Sequence, residues 1–243
     1  MGHVLAVALA CCSAPLADWD FARALDALTR TDTRAVPRAA TVVSYKVFIA
    51  DNSDHPYVAL AMLELANLYQ HHSPATGLHA DPVQASRWLE RAASVAPRGS
   101  MLWLKVHERL ASHCTHGGDA KRAASILDDI AKSFPDDSLA LARVEAGRLS
   151  LAQVEGRADD MFRHAQNLFG WYDDPTRIPK DGYAKWELDT LLVGAGSQLV
   201  ESLRQSSLPA PGRRAKLELL RKDYAWLPHM LTAATAALAE APE

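Results

Sequence analysis

The chain has 243 residues and 26.5 kDa, with 49% hydrophobic and 23% charged residues, a balance that excludes the large disordered, collagen-like and multi-span membrane classes. With 26 Lys and Arg against 29 Asp and Glu, the net charge is -3, and no basic excess exists from which to build a phosphate-neutralising surface, which excludes a dedicated nucleic-acid binder. Only 12 glycines accompany the many alanines and leucines, and runs of β-branched residues are scarce, so the composition predicts an all-α protein.

Residues Val4 to Leu16, VLAVALACCSAPL, form an apolar stretch about as long as a signal-peptide core and too short to span a bilayer. The small residues Ala8, Ala10, Cys12 and Ala14 have the spacing a signal peptidase reads, and Cys11 after Ala8-Leu9-Ala10 resembles a lipoprotein cleavage box with Ala8 in place of the usual Leu. Two readings stay open: residues 1–16 are a leader or N-terminal lipid anchor of a periplasmic or cell-envelope protein, or they are the buried first helix of a cytoplasmic one. The three cysteines, Cys11, Cys12 and Cys114, have neither a disulfide framework nor a zinc spacing, and Cys114 reads as a small core residue.

Helices are predicted near 17–31 and 38–51, followed by pairs. The first pair, near 56–72 and 82–96, carries Leu65, Ala66 and Tyr69 on one helix and Ala85, Leu89, Ala92 and Pro97 around the other. In the second, near 101–114 and 119–133, Leu110, Ala111, Cys114, Ala123, Leu127, Ile130 and Pro135 fall at the intervals of a 34-residue helix-turn-helix unit. The third, near 138–153 and 157–169, is in phase through Ala146, Leu149, Ala158, Phe162 and Ala165, with Gly170 where the terminal proline would stand. Caps support these boundaries: Asp81 ahead of Pro82 and Gln84, Pro56 opening a helix after His55, Ser100 before another, and Gly117-Gly118-Asp119 closing one helix and opening its partner. The segment WYDDPTRIPKDG, from Trp171 to Gly182, then interrupts the array. Helices near 184–205, 213–224 and 230–241 follow, with a break at Leu208-Pro209-Ala210-Pro211-Gly212. The expected organisation is a repeat region over 17–170, of four to six helical pairs with its continuation, and a helical extension over 171–243 that caps the open end of the core.

These repeats resemble the tetratricopeptide family, and the unit around Tyr69 is similar to Sel1-like repeats through its long loop HHSPATGLHADP and the following Ala85, Trp88, Ala92 and Ala93. The segment YKVFIADNSDHPYVALAMLELANLY looks like repeats of bacterial envelope members. The resemblance covers about residues 38–170 and implies a right-handed α-α superhelix that binds protein or peptide segments without catalysis. It also implies that first helices line a concave face, where the polar positions in phase are Asn67, Gln70, Lys105, Glu108, Ser112 and Arg143. Leu63 stands where the family's peptide-carboxylate clamp has Lys, so the expected ligand is an extended or helical protein segment.

No cofactor, metal or catalytic signature emerges. His71, His72 and His79, and the run His113-Cys114-Thr115-His116, lack carboxylates at a ligand spacing. Gly194-Ala195-Gly196-Ser197 lies in a helical pattern without the lysine of a phosphate loop and reads as a site of close helix packing. The pairs Asp128-Asp129, Asp136-Asp137, Asp159-Asp160 and Asp173-Asp174 occur where Asp caps helices and turns. The rival reading is a helical enzyme or accessory domain with a site around Trp171, Tyr172, Tyr183 and Trp186, where the chain departs from the repeat; alternatively Trp171 anchors its loop onto the last repeat.

Overall fold

Alanine- and leucine-rich periodic segments become helices in this chain wherever a cap starts them and a glycine, proline or polar turn ends them. The computed structural model describes residues 18–29, 38–70, 80–171, 174, 176–205, 208–224 and 228–240. Residues 1–17, on which the leader reading falls, the loop with His71, His72 and His79, and Tyr172 lie outside the described residues. Among those described there are eleven helices and no strand: α1 (Asp18–Thr29), α2 (Arg38–Asp51), α3 (Val58–Gln70), α4 (Pro82–Val95), α5 (Met101–His116), α6 (Ala120–Ser133), α7 (Ser138–Val154), α8 (Ala158–Phe169), α9 (Gly182–Gln205), α10 (Ala210–Asp223) and α11 (Pro228–Glu240). The all-α class is as expected, and no described helix is long and apolar enough to cross a membrane.

Four helix starts move by two residues or more, the last of them from 230 to Pro228 in α11. The expected start at Pro56 becomes Val58, because the His55 ring Nδ1 accepts the Tyr57 N–H at 3.2 Å and the His55 carbonyl accepts the Val58 N–H at 3.0 Å, holding a turn ahead of α3. Helix α9 begins at Gly182 instead of 184, since Asp181 accepts the Ala184 N–H on its side chain at 2.9 Å. Helix α10 begins at Ala210 instead of 213, because a proline in the first turn lacks only an amide that the helix would leave unpaired.

The second helices of the expected pairs recur at 38 residues instead of 34. The N-cap positions Asp81, Asp119 and Arg157 are spaced by 38. So are the buried residues of the second helices: Ala85, Ala123 and Met161; then Leu89, Leu127 and Ala165; then Ala92, Ile130 and Leu168. The longer unit accommodates first helices of 16 and 17 residues in α5 and α7. Gly118 and Gly156, again 38 apart, take positive φ angles of 83° and 69° at the turns into α6 and α8, a conformation that costs glycine nothing.

The described residues divide into two compact units, one up to Leu110 and one from Ala111, with the division inside α5. In the first, α3 and α4 form the most extensive helix pair, with Ala59, Ala61, Leu65 and Ala66 of α3 and Ala85, Leu89 and Ala92 of α4 fully buried. Small side chains at the crossing let the two backbones approach while leucines fill the flanks. In the second unit α7 packs on both α6 and α8, and α9 packs on α7, α8 and α11. Its core joins Leu149, Phe162, Leu168 and Phe169 to Leu188, Leu192, Leu199, Leu217 and Leu220. Residues on both sides of the expected boundary at 170/171 share one core: the face of α9 built on Leu188, Leu192, Ala195 and Leu199 is buried with α7 and α8.

Candidate functional site

The six residues expected to meet a partner have different environments. On α3, Asn67 and Gln70 are half-buried, and the Asn67 amide reaches Glu64 at 3.5 Å. On α5, Lys105 and Ser112 are exposed and Glu108 is half-buried; their spacing of three and four residues aligns them along one face of the helix. Arg143 differs, because its side chain is 8% exposed and forms an ion pair with Glu187 of α9. It holds α7 to α9, and its charge is already matched. Leu63, at the clamp position, is buried.

The sequence gives no hint of the charge cluster centred on Glu145. This residue of α7 is 7% exposed, yet its carboxylate accepts hydrogen bonds from three side chains. His164 Nδ1 donates to Oε2 at 2.9 Å, Asn167 Nδ2 to the same oxygen at 3.1 Å, and Arg148 Nη1 to Oε1 at 2.7 Å. Arg148 Nη2 continues to Asp128 of α6 at 2.7 Å, so one network ties α6, α7 and α8 together. Burial alone raises the Glu145 carboxyl value, but the bonds from His164, Asn167 and Arg148, with the charge of His164, outweigh it and bring it down to about 2. The folded protein thus favours the ionised carboxylate, and its three donors on two neighbouring helices bind those helices together.

Beside this network lies a cleft of about 240 Å³ whose lining includes Asp136, Leu141, Glu145, Arg148, Trp171 and Arg177. Trp171 is 6% exposed and belongs to the core of its unit, so it anchors the interrupting segment onto α7 and α8. The Arg177 guanidinium sits 5.3 Å from the centre of its ring, and Asp174 pairs with Arg177 at 3.4 Å. A short Asp174 turn, in which the carboxylate accepts from the Thr176 N–H at 3.0 Å and hydroxyl at 2.6 Å, presents that arginine. Tyr183 and Trp186 are instead 70% and 59% exposed, with ring centres 5.7 Å apart on the surface of α9. They are absent from the lining of the cleft that holds Trp171, so these aromatics do not converge on one pocket.

The remaining candidates resolve into structure. Cys114 is buried, the Thr115 hydroxyl donates to the Ala111 carbonyl at 2.9 Å, and the His116 ring Nδ1 bonds the Ser112 carbonyl at 2.8 Å. No group of three metal-ligating side chains occurs among the described residues. The Gly194 stretch lies within α9, with Ala195 and Gly196 buried, but Gly194 is exposed with open space where a Cβ would stand, so it takes no part in close packing. Gly147 plays that part: a Cβ there would lie 2.7 Å from Cδ2 of Leu127, where α6 meets α7. Asp137 caps α7 through the Ala140 N–H at 3.0 Å, and Asp160 pairs with Arg157 and Arg163. Asp159 reaches Lys216 of α10 at 2.8 Å.

A second cleft, of about 720 Å³, opens between the start of α8 and the end of α9, lined by Gln153, Arg157, Asp160, Met161, Ser202 and Gln205 among others. No protein-family model matches the chain, and comparison with the curated proteins and with the solved structures returns no match.

Proposed function

We propose that this protein is a non-enzymatic interaction module of the tetratricopeptide or Sel1-like kind, an α-solenoid whose helical pairs offer a preformed surface to a segment of another protein. The observation that carries the reading is the 38-residue recurrence of buried positions through α4, α6 and α8, since stacking like units on one another is how such proteins build extended binding faces. On α5 the exposed Lys105 and the half-buried Glu108, three residues on, supply polar contact points. Binding there would need little rearrangement of the helices. Glu145 and Asp159 are engaged in ion pairs and Asp137 in a helix cap, which favours this reading over the enzymatic one. The cell envelope remains the proposed location, on the strength of the leader-like residues 4–16; N-terminal sequencing of the mature protein from its host tests it, and an intact Met1 removes the argument.

The test of the surface is affinity capture from the host with the unaltered chain and with the double variant Lys105→Glu, Glu108→Lys. Partners should fall by about tenfold or more, the effect of replacing matched by opposed charges. Full retention by a variant with an unchanged melting curve overturns the assignment of this face.

A further inference from the structure

We infer that the cleft beside Trp171 is a docking point for an arginine side chain of a partner protein, and that the chain's own Arg177 occupies its mouth in the absence of that partner. The inference deepens the interaction-module reading and rests on it for the nature of the ligand.

Two observations point to a cationic side chain, and two more to its arrival on a peptide segment. The first is the aromatic wall. Trp171 already carries a guanidinium, that of Arg177, at 5.3 Å from its ring centre, so the ring is placed to receive a flat cation. The occupying arginine is held only from the surface: its side chain is 54% exposed, and its one ion-pair contact, with Asp174, is 3.4 Å long and 45% exposed on the acid side. Exposed contacts of that kind are weak in water, so a partner's arginine can exchange with it.

The second is charge. Asp136 and Glu145 line the cleft together with Arg148 and Arg177, while Asp128 and Asp174 are the acids that pair with those two arginines. Four carboxylates thus face two guanidinium groups, with His164 meeting the same field only through its bond to Glu145. Glu145 keeps its negative charge at any ordinary pH, and Asp136 is exposed at the rim with no ion pair among the described residues. An arriving cation finds an unmatched carboxylate, whereas an arriving anion meets an excess of its own sign.

The third is size. At about 240 Å³ the cleft is smaller than the roughly 300–1,000 Å³ of sites that enclose whole small ligands, and its apolar residues, Leu141 and Val144, are suited to the methylene stem of one long side chain. The fourth is an unfinished hydrogen bond: the Trp171 indole N–H is buried without an acceptor among the described residues. A buried donor left unpaired is costly, and the peptide carbonyls that accompany an incoming arginine are the acceptors such a donor lacks.

The test uses the full chain and the peptide acetyl-(Gly-Ser-Arg)4-amide, with the corresponding glutamate peptide as control, each titrated by fluorescence anisotropy at low and at physiological salt. Arg177→Ala uncovers the ring and should tighten arginine-peptide binding about 3- to 10-fold, the range expected when a competing contact of this class is removed. Arg177→Gln, which keeps a polar side chain at the turn, should tighten it likewise and guards against a collapsed loop in the alanine variant. Asp136→Asn should weaken binding at least about threefold, and the glutamate peptide should not bind. Equal binding of both peptides, or affinities unmoved by Arg177→Ala, Arg177→Gln and Asp136→Asn, overturns the inference. The titration needs no natural partner, so its outcome is independent of the capture experiment on α5. Partners lost on the α5 charge swap but fully retained by Asp136→Asn would leave the module reading standing and sink this cleft.

Discussion

The pair α3 and α4 and the pair α7 and α8 occupy corresponding places in two units of the same chain, yet they are held by different physics. In the first pair every buried residue is apolar, with Ala59, Ala61, Leu65, Ala66, Ala85, Leu89 and Ala92 at zero exposure. At the second, Glu145 stands among the buried residues of α7 between Ala142 and Leu149, and the interface is completed by His164, Asn167 and Arg148. Apolar contact is non-directional and tolerates small shifts along the helices. A buried carboxylate with three specific donors admits a single alignment, at the cost of removing a charge from water. The contrast teaches that a common repeat pattern specifies which helices pair, while the second pair adds a polar lock that specifies where.

The largest effect should come from breaking each crossing by its own rule. Leu89→Ala, in the apolar pair, is expected to cost about 3–4 kcal/mol through lost burial and a residual cavity. Glu145→Ala, in the polar pair, should cost about 3 kcal/mol because three donors lose their acceptor, and urea melts of both variants give the comparison.

Acid distinguishes the pairs more sharply. The Glu145 carboxyl is lowered from 4.5 in an unstructured chain to about 2 in the folded one, so the folded state favours the ionised form. Its stabilisation is complete above the unfolded value and is lost as pH falls from about 5 towards 2, a change of about 3 kcal/mol. Urea midpoints taken down that range should fall less steeply for Glu145→Gln than for the unaltered protein; parallel acid limbs would show that the carboxylate is not the source.

The smallest effect sharpens the comparison at the helix starts. Asp81 caps α4 through the Gln84 N–H at 2.9 Å, whereas Arg157, at the equivalent position 38 and again 38 residues on, makes no side-chain cap to α8. Asp81→Ala should lose about 1 kcal/mol, and Arg157→Ser should gain about 0.5 kcal/mol after forfeiting exposed pairs with Glu155 and Asp160. Thermal melts resolve both, and the opposite sign at Arg157 would mean that its ion pairs outweigh a cap.

Much of this architecture was legible in the residues because it is written in local terms. Helix periodicity, Asp81 and Asp119 ahead of their helices, and Gly118 at a turn all act within a few residues, and they place most boundaries to within two positions. The errors were local in kind too: Pro56 and Pro211 mark a turn and a first helical turn that proline alone does not distinguish. Degenerate apolar positions fit both 34 and 38 residues, and the buried positions of the second helices select the longer spacing.

What the tertiary structure decided is the fate of the polar residues. Arg143 fits a ligand-facing position by helical phase, but Glu187, 44 residues later, takes its charge. Glu145 is an ordinary acidic residue until His164 and Asn167, 19 and 22 residues on, surround it. Trp171 anchors its segment while Tyr183 and Trp186 face outward, though all three lie in or near the same stretch that breaks the repeat. Helix formation is set by neighbours in sequence, so the chain determines it alone. The charge state, burial and availability of a side chain are set by neighbours in space, and only the packed helices supply those.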